Sequence, residues 1–375
     1  MTRSRILITG VLVALAVAAF LSRVSRNMPD FEVYWRGAGR AALAEPLYPA
    51  ADGHYQFKYL PAFAVLTIPL SFMPLPVAKG VWFAGSIALL VLLVATSLAL
   101  LPDRRKATTL LSVIVIVVLG RFFARELLLG QANLLFAVIA ASAFLAMKAR
   151  REILAGSLIA LTIAIKPYGI ILVPWLVARR ERASVLAACL AGAVVFFLPA
   201  VLYGVDGNAA LHRAWWDTVS ATTVPNLLNP DNVSLASMYA KWLGPSWVAT
   251  SLALVTALAS LGAATWVFLG RRSMPFPEGL EGSLLLMLIP LLSPQGWDYV
   301  LLVAAPAVVY LANYEDRLPA VPRVAAILAA VTIGLGLFDV MGRAAYAAFT
   351  ALAIVSVCAL VLVGALCMLR LKKIA

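Results

Sequence analysis

The run ILITGVLVALAVAAFL, residues 6–21, passes through SRVSRN, residues 22–27, into MPDFEVYWRGAGRAALAEPLYPAADGHYQFKYLP, residues 28–61, and a second long apolar stretch follows. A membrane-crossing helix needs ~20 predominantly apolar residues, so the first run reads as a span and Asp30 falls just past its exit. A carboxylate held at a bilayer surface costs free energy unless it is solvated or used. Glu32, Tyr34, Trp35 and Arg36 follow it closely. That density of polar and aromatic groups suits a place where a polar molecule meets a lipid-borne one.

The rest of the chain extends the membrane reading. Of its 375 residues 63% are hydrophobic and 13% charged, at a mean hydropathy of +0.96, whereas a soluble domain carries about a quarter charged residues. Apolar segments recur near 6–21, 61–101, 108–120, 132–147, 153–177, 183–203, 246–269, 283–293, 299–312, 323–341 and 344–369. Several could hold two short helices, which predicts an all-α polytopic transmembrane bundle of about 10–12 spans. No hydrophilic stretch is long enough for a soluble domain, so residues 1–375 read as one integral membrane domain. LSRVSRNMPD, 21–30, lacks a small-x-small cleavage site, so the first helix reads as retained.

The net charge of +13 resembles a nucleic-acid signal, but its distribution excludes that class. Segments 23–60, 204–244 and 293–300 together hold seven Lys/Arg and eight Asp/Glu. The basic excess sits elsewhere, in DRRK 103–106, KARRE 148–152, RRER 179–182, GRR 270–272 and the C-terminal LKK. This is the positive-inside pattern. With Arg3 and Arg5 it places both termini in the cytoplasm and the loops 23–60, 204–244 and 293–300 outside. KARRE and RRER flank one apolar segment and both read as cytoplasmic, which requires a hairpin or re-entrant pair broken at Lys166-Pro167. In 61–101, two spans broken at Pro74 and Pro76 would put DRRK outside. One tilted span after a surface helix would keep it inside, and that reading is preferred.

Candidate site residues collect at the outer face. Asp30 could be a helix cap, a functional carboxylate, or both. HYQFKYLP, 54–61, supplies His54, Lys58 and Tyr59, against a plain aromatic belt with a snorkelling lysine. GQAN, 130–133, places Gln131 and Asn133 at an apolar junction, as caps, interhelical bonds or ligands. Arg121 and Arg125 just before it either pair with Glu126 or hold an anion. Lys166 is the one charge in a 25-residue apolar stretch, free to neutralise a lipid phosphate or to snorkel. In the second outer loop Trp215, Trp216 and Trp242 fit either sugar faces or a membrane belt, beside Asp217, Asp231 and Asn232. Asp298, beside Trp297 in SPQGWDY, 293–299, demands a cavity or a polar network. Cys189, Cys358 and Cys367 sit in apolar segments without metal or disulfide spacing. With His54 and His212 as its two histidines, the chain offers no histidine metal site, and it carries no nucleotide or hydrolase motif.

Asp30-Phe31-x-x-Tyr34, Pro46-Leu47-Tyr48, Phe57-Lys58-Tyr59-Leu60-Pro61, Gln131 and Asn133 within GQAN, Lys166-Pro167, Asn232-Val-Ser-Leu235 and SPQGWDY follow one another in an order that resembles the bacterial membrane glycosyltransferases of the GT-C superfamily. The polyprenyl-phosphate-mannose-dependent alpha-mannosyltransferases are the group it is most similar to. The resemblance covers most of the chain, and its specificity lies in the order of short motifs. It implies an inverting transfer of a sugar, mannose by expectation, from a polyprenyl-phosphate donor to a lipid or glycan acceptor outside the bacterial cytoplasmic membrane. No loop presents a clear carboxylate cluster, so no metal is named, and no cofactor; membrane lipids rather than nucleic acid are the expected partners. Asp30 would be the general base; Arg36, Lys58 and Lys166 would face the leaving phosphate. Glu32, Tyr34, His54, Tyr59, Gln131, Asn133, Asn232, Trp297 and Asp298 would line the substrates. Where the family often has a histidine after the late Trp-Asp, this chain has Tyr299 and Val300. An arabinofuranosyl donor fits the same fold. A transporter of lipid-linked saccharides should show inverted repeats, which the sequence lacks, and a non-catalytic assembly subunit would tolerate loss of Asp30.

Overall fold

The computed structural model describes residues 14–270 and 275–372, and among these the regular elements are all helices, without a β-strand. In chain order the helices that matter are α1 Pro29–Ala42, α2 Leu75–Ala99, α3 Thr108–Leu129, α4 Asn133–Lys148, α5 Glu152–Ile165, α6 Leu172–Ala178, α7 Arg182–Phe197, α8 Ala200–Thr223, α9 Leu235–Leu243, α10 Trp247–Leu269, α11 Pro277–Leu292, α12 Ala305–Tyr314, α13 Ala320–Leu335, α14 Phe338–Ala351 and α15 Ile354–Leu371. By length and composition, α2, α10 and α15 can each cross a membrane alone. The bent pairs α7–α8 (91°) and α13–α14 (108°) raise the described candidates to five. The expected count of about 10–12 spans thus draws on short helices as well, since five candidates are long enough by themselves or as bent pairs. Several apolar segments are short helices, such as α4 and α5, packed among their neighbours. α11 is buried on nearly every face, and an all-round apolar helix of that kind belongs in the interior of a bundle.

Polar contacts sort the helix ends into two groups. At one end Lys148 Nζ donates to the carbonyls of Ala99 (2.7 Å) and Leu101 (3.0 Å), and Arg105 pairs with Asp316. Arg179 pairs there with Glu278, and Arg370 Nε donates to Glu281 Oε1 at 2.8 Å. At the other end lie Asp30, Gln131, Lys166, Asp231 and Asp298. The clusters DRRK, KARRE and RRER thus share the end remote from Asp30. The chain runs from KARRE through α5 to Lys166, turns in a 3₁₀ segment at Pro167–Ile171, and returns through α6 to RRER. Likewise α2 starts beside Asn27, whose carbonyl accepts from Lys79 Nζ at 2.7 Å, and ends beside Lys148. Arg3, Arg5, Arg271, Arg272 and Lys373 lie outside the described residues.

Glu281 sits inside α11 with no exposure. Its carboxylate accepts from Trp175 Nε1 (3.0 Å) and Arg370 Nε (2.8 Å), tying α6, α11 and α15 together remote from Asp30. A buried carboxylate is tolerated because such partners replace its hydration.

The segment after the first span is a helix, not the loop expected from its polarity. Pro29 occupies the first turn of α1, where its fixed φ suits a helix start and its missing N–H costs nothing. The buried residues Phe31, Tyr34, Ala38 and Ala41 recur at helical spacing, and Phe31 and Tyr34 pack against Trp82 of α2. The second outer loop is also largely helical, in α8 and α9, with Ser234 capping α9 by accepting from Ser237 N at 3.1 Å.

Candidate active site

α1 presents two faces, and the helical period assigns them. Asp30 and Tyr34, four residues apart, share one face; Glu32 and Arg36 share the opposite one. On the inner face Asp30 Oδ2 accepts from Gln131 Nε2 at 2.7 Å. Gln131 is the centre of the cluster. Its Oε1 accepts from Tyr59 OH (3.0 Å), Tyr34 OH (3.1 Å) and Lys166 Nζ (3.0 Å), and its Nε2 also donates to Tyr299 OH at 3.1 Å. The hydroxyls of Tyr34 and Tyr59 are themselves in close hydrogen-bond contact. The amide polarity suits its neighbours: the oxygen faces the lysine and the nitrogen faces the carboxylate.

Gln131 reaches Asp30 because α3 ends where α1 begins. Met28 N donates to Leu128 O at 3.0 Å, and Gly130, at φ +71°, reverses the chain. A Cβ on Gly130 would lie 2.7 Å from Phe31 Cβ and 3.0 Å from Met28 Cε. Gly130→Ala should therefore cost about 1–3 kcal/mol from overpacking and left-handed backbone strain, read as a lower unfolding temperature. Glu126, one turn before Gly130, accepts from Asn133 Nδ2 (2.8 Å) and Leu134 N (2.9 Å), closing the GQAN turn, and Asn133 Oδ1 accepts from Tyr168 OH at 2.6 Å.

Electrostatics around Asp30 are mixed. Burial pushes its carboxyl above the ordinary carboxylate range; the hydrogen bond from Gln131 and the charges of Lys166, Lys58 and His54 pull in the opposite direction. Lys58 in turn is lowered by burial, with Asp30 opposing. Lys166 also lies over the Tyr59 ring, 4.7 Å from its centroid. One half-buried carboxylate thus faces two lysines across a polar, aromatic wall. Such a wall can accept a proton from a hydroxyl and hold an anionic group beside it.

The other candidates divide. His54 is exposed on a 3₁₀ turn, and Lys58 Nζ approaches its carbonyl at 3.4 Å. Glu32 pairs with Lys79 at 2.7 Å and so faces away from Asp30, and Arg36 Nε reaches back to the Glu32 carbonyl at 3.4 Å. Asn232 is buried and engages backbone: Nδ2 donates to Asn226 O (3.0 Å), and Oδ1 accepts from Ser234 N (3.0 Å). Its backbone bridges to Trp297, and Val233 N donates to Gly296 O at 2.7 Å. The two later loops are zipped together here, and a Cβ on Gly296 would sit 1.9 Å from Pro290 O.

Asp298 belongs to a separate network. It pairs with Arg121 (2.7 Å) and Arg125 (3.0 Å), and Arg125 pairs also with Asp231 at 2.5 Å. Neither arginine pairs with Glu126, so that one of the two alternatives is not realised; adjacent positions on α3 point in different directions, and Glu126 is already committed to the GQAN turn. Arg125 lies over the Tyr299 ring at 5.4 Å, and Trp297 stacks parallel to it. Tyr299 therefore joins the Asp298 network to Gln131. Its ring meets the Arg125 guanidinium and its hydroxyl meets the Gln131 amide. Tyr168, directly after Lys166-Pro167, joins this polar cluster through its hydroxyl, which donates to Asn133 Oδ1. Among the described residues no group of three or more His, Cys, Asp or Glu could hold a metal ion.

Comparison with known proteins gives one match. A model of glycosyltransferase family 87 matches residues 57–294, well over half of the chain. No curated protein and no solved structure matches.

Proposed function

The chain belongs to glycosyltransferase family 87, a GT-C-type membrane family, and from that premise we propose that it moves mannose from a polyprenyl-phosphate carrier to a hydroxyl of a lipid or glycan acceptor. The carrying observation is the Asp30 carboxylate held by Gln131 beside Lys166 and Lys58. Asp30 takes the acceptor's hydroxyl proton as the acceptor oxygen bonds to the anomeric carbon. The bond from that carbon to the phosphate oxygen breaks, and its electron pair leaves with the lipid phosphate. Attack from the face opposite the leaving group inverts the anomeric centre. Lys166 and Lys58 offset the charge that grows on the phosphate, and Gln131 is a positioning residue that orients both the base and Lys166. The separation of DRRK, KARRE and RRER from the site supports an extracytoplasmic placement for Asp30, under the positive-inside rule.

Purified protein should transfer labelled sugar from polyprenyl-phosphate-mannose to an extracted lipid acceptor. Transfer from an arabinofuranosyl carrier alone would replace the donor, and transfer from neither would sink the reading. Gln131→Leu should lower kcat by roughly ten- to a hundredfold through misplacement of the base. It should also move the acid limb of the pH profile upward, because the Gln131 hydrogen bond holds the Asp30 carboxyl down. A Gln131→Leu enzyme with an unmoved acid limb would remove the positioning role.

A further inference from the structure

Far from Asp30, α5 and α7 cross at backbone distance. Ser184 Oγ donates to Glu152 O at 3.0 Å, and a Cβ on Gly156 would lie 2.1 Å from Ser184 O. This contact sets the first turns of the two helices side by side. The basic turns that precede them, Arg150-Arg151 and Arg180 to Arg182, therefore emerge from one corner of the bundle. Arg150, Arg151, Arg180 and Arg182 are all exposed. Among the described residues none of the four makes an ion pair, and neither do Glu152 and Glu181 beside them.

Several other basic groups at this end are engaged. Arg105 and Lys106 pair with Asp316 and Glu315, Arg179 with Glu278, and Lys148 caps two carbonyls. The corner keeps a net positive charge beside an open groove. Arg150, Arg151, Glu152 and Ser157 give that groove a charged, hydrogen-bonding rim with one positive charge in excess; Ile153, Leu154 and Ala183 give it an apolar wall. A guanidinium pair matches phosphate oxygens geometrically, and Ile153 and Leu154 expose apolar surface beside it.

From this juxtaposition we infer that the α5–α7 corner binds the headgroup of an anionic phospholipid, with Arg150 and Arg151 on the phosphate and the acyl chains along Ile153 and Leu154. The site is independent of the transferase reading and needs no transfer activity for its test.

The test is native mass spectrometry of the full chain released from phosphatidylcholine nanodiscs with and without phosphatidylglycerol. The wild type should retain phosphatidylglycerol in preference to phosphatidylcholine. Arg150→Gln/Arg151→Gln should lower that retention roughly tenfold or more, given about 1 kcal/mol per basic residue at an anionic surface. Arg104→Gln/Arg317→Gln, two exposed arginines outside this corner, should retain the lipid. All positions are exposed, and matching gel-filtration profiles would establish that both variants fold. Equal loss in the two variants would reduce the corner to diffuse surface charge and overturn the site, as would a wild type without lipid preference. Displacement by soluble glycerol phosphate would point to a free phosphate ligand and overturn the lipid assignment.

Discussion

Asp30→Asn should leave a folded protein whose sugar transfer is lost by about 10²- to 10⁴-fold, the usual contribution of a general base. The amide keeps the shape of the carboxylate and cannot take a proton. The same variant should be no less stable than the wild type, and this follows from the sign of the linkage. Burial raises the folded-state value of Asp30 above its ordinary one, so the fold binds the proton more tightly than the unfolded chain does. As pH climbs between those two values, the fold loses stability, and above the raised value it carries the full cost. Asparagine removes that cost. Activity runs the opposite way, rising with pH as Asp30 ionises, with an acid limb above the ordinary carboxylate range. Transfer assays and thermal unfolding of the same preparations check both halves. Undiminished transfer by Asp30→Asn would remove Asp30 from the mechanism.

Asp298→Ala should fail in a different way, by unfolding. The Asp298 side chain is 4% exposed and that of Arg121 10%, so removal leaves a guanidinium without its counter-charge in a largely dry site. Breaking such a pair from one side costs ~3–5 kcal/mol. The Arg125–Asp231 pair, about a third exposed, is screened and contributes much less. The Asp298 backbone also holds the two later loops together, its N–H donating to Asp231 O at 2.8 Å. A marked fall in unfolding temperature for Asp298→Ala, beside an unchanged one for Asp30→Asn, would separate the structural carboxylate from the chemical one. Unchanged unfolding with lost transfer would instead move Asp298 into the active site.

The sequence by itself determined the membrane class, the helical fold and the placement of Asp30, Gln131 and Lys166 as polar interruptions of apolar runs. Hydropathy is a local sum, and a lone charge in a long apolar stretch stands out without any partner. It also carried the break at Lys166-Pro167, because a proline lacks the N–H that bonds one turn back and crowds the preceding turn. Only the tertiary structure decided which interruptions meet. Gln131 joins Asp30 to Lys166 across 101 and 35 residues of chain, and no local signal specifies such a pairing. Arg121 and Arg125 choose Asp298 and Asp231 over nearby Glu126 for the same reason: ion pairs form between groups that packing brings together. Glu32 and Arg36 were legible in principle, since a helical period through 29–42 turns them away from Asp30. The polarity of that segment hid the helix, because its apolar stripe is narrow and is completed only by packing against Trp82 and the start of α2.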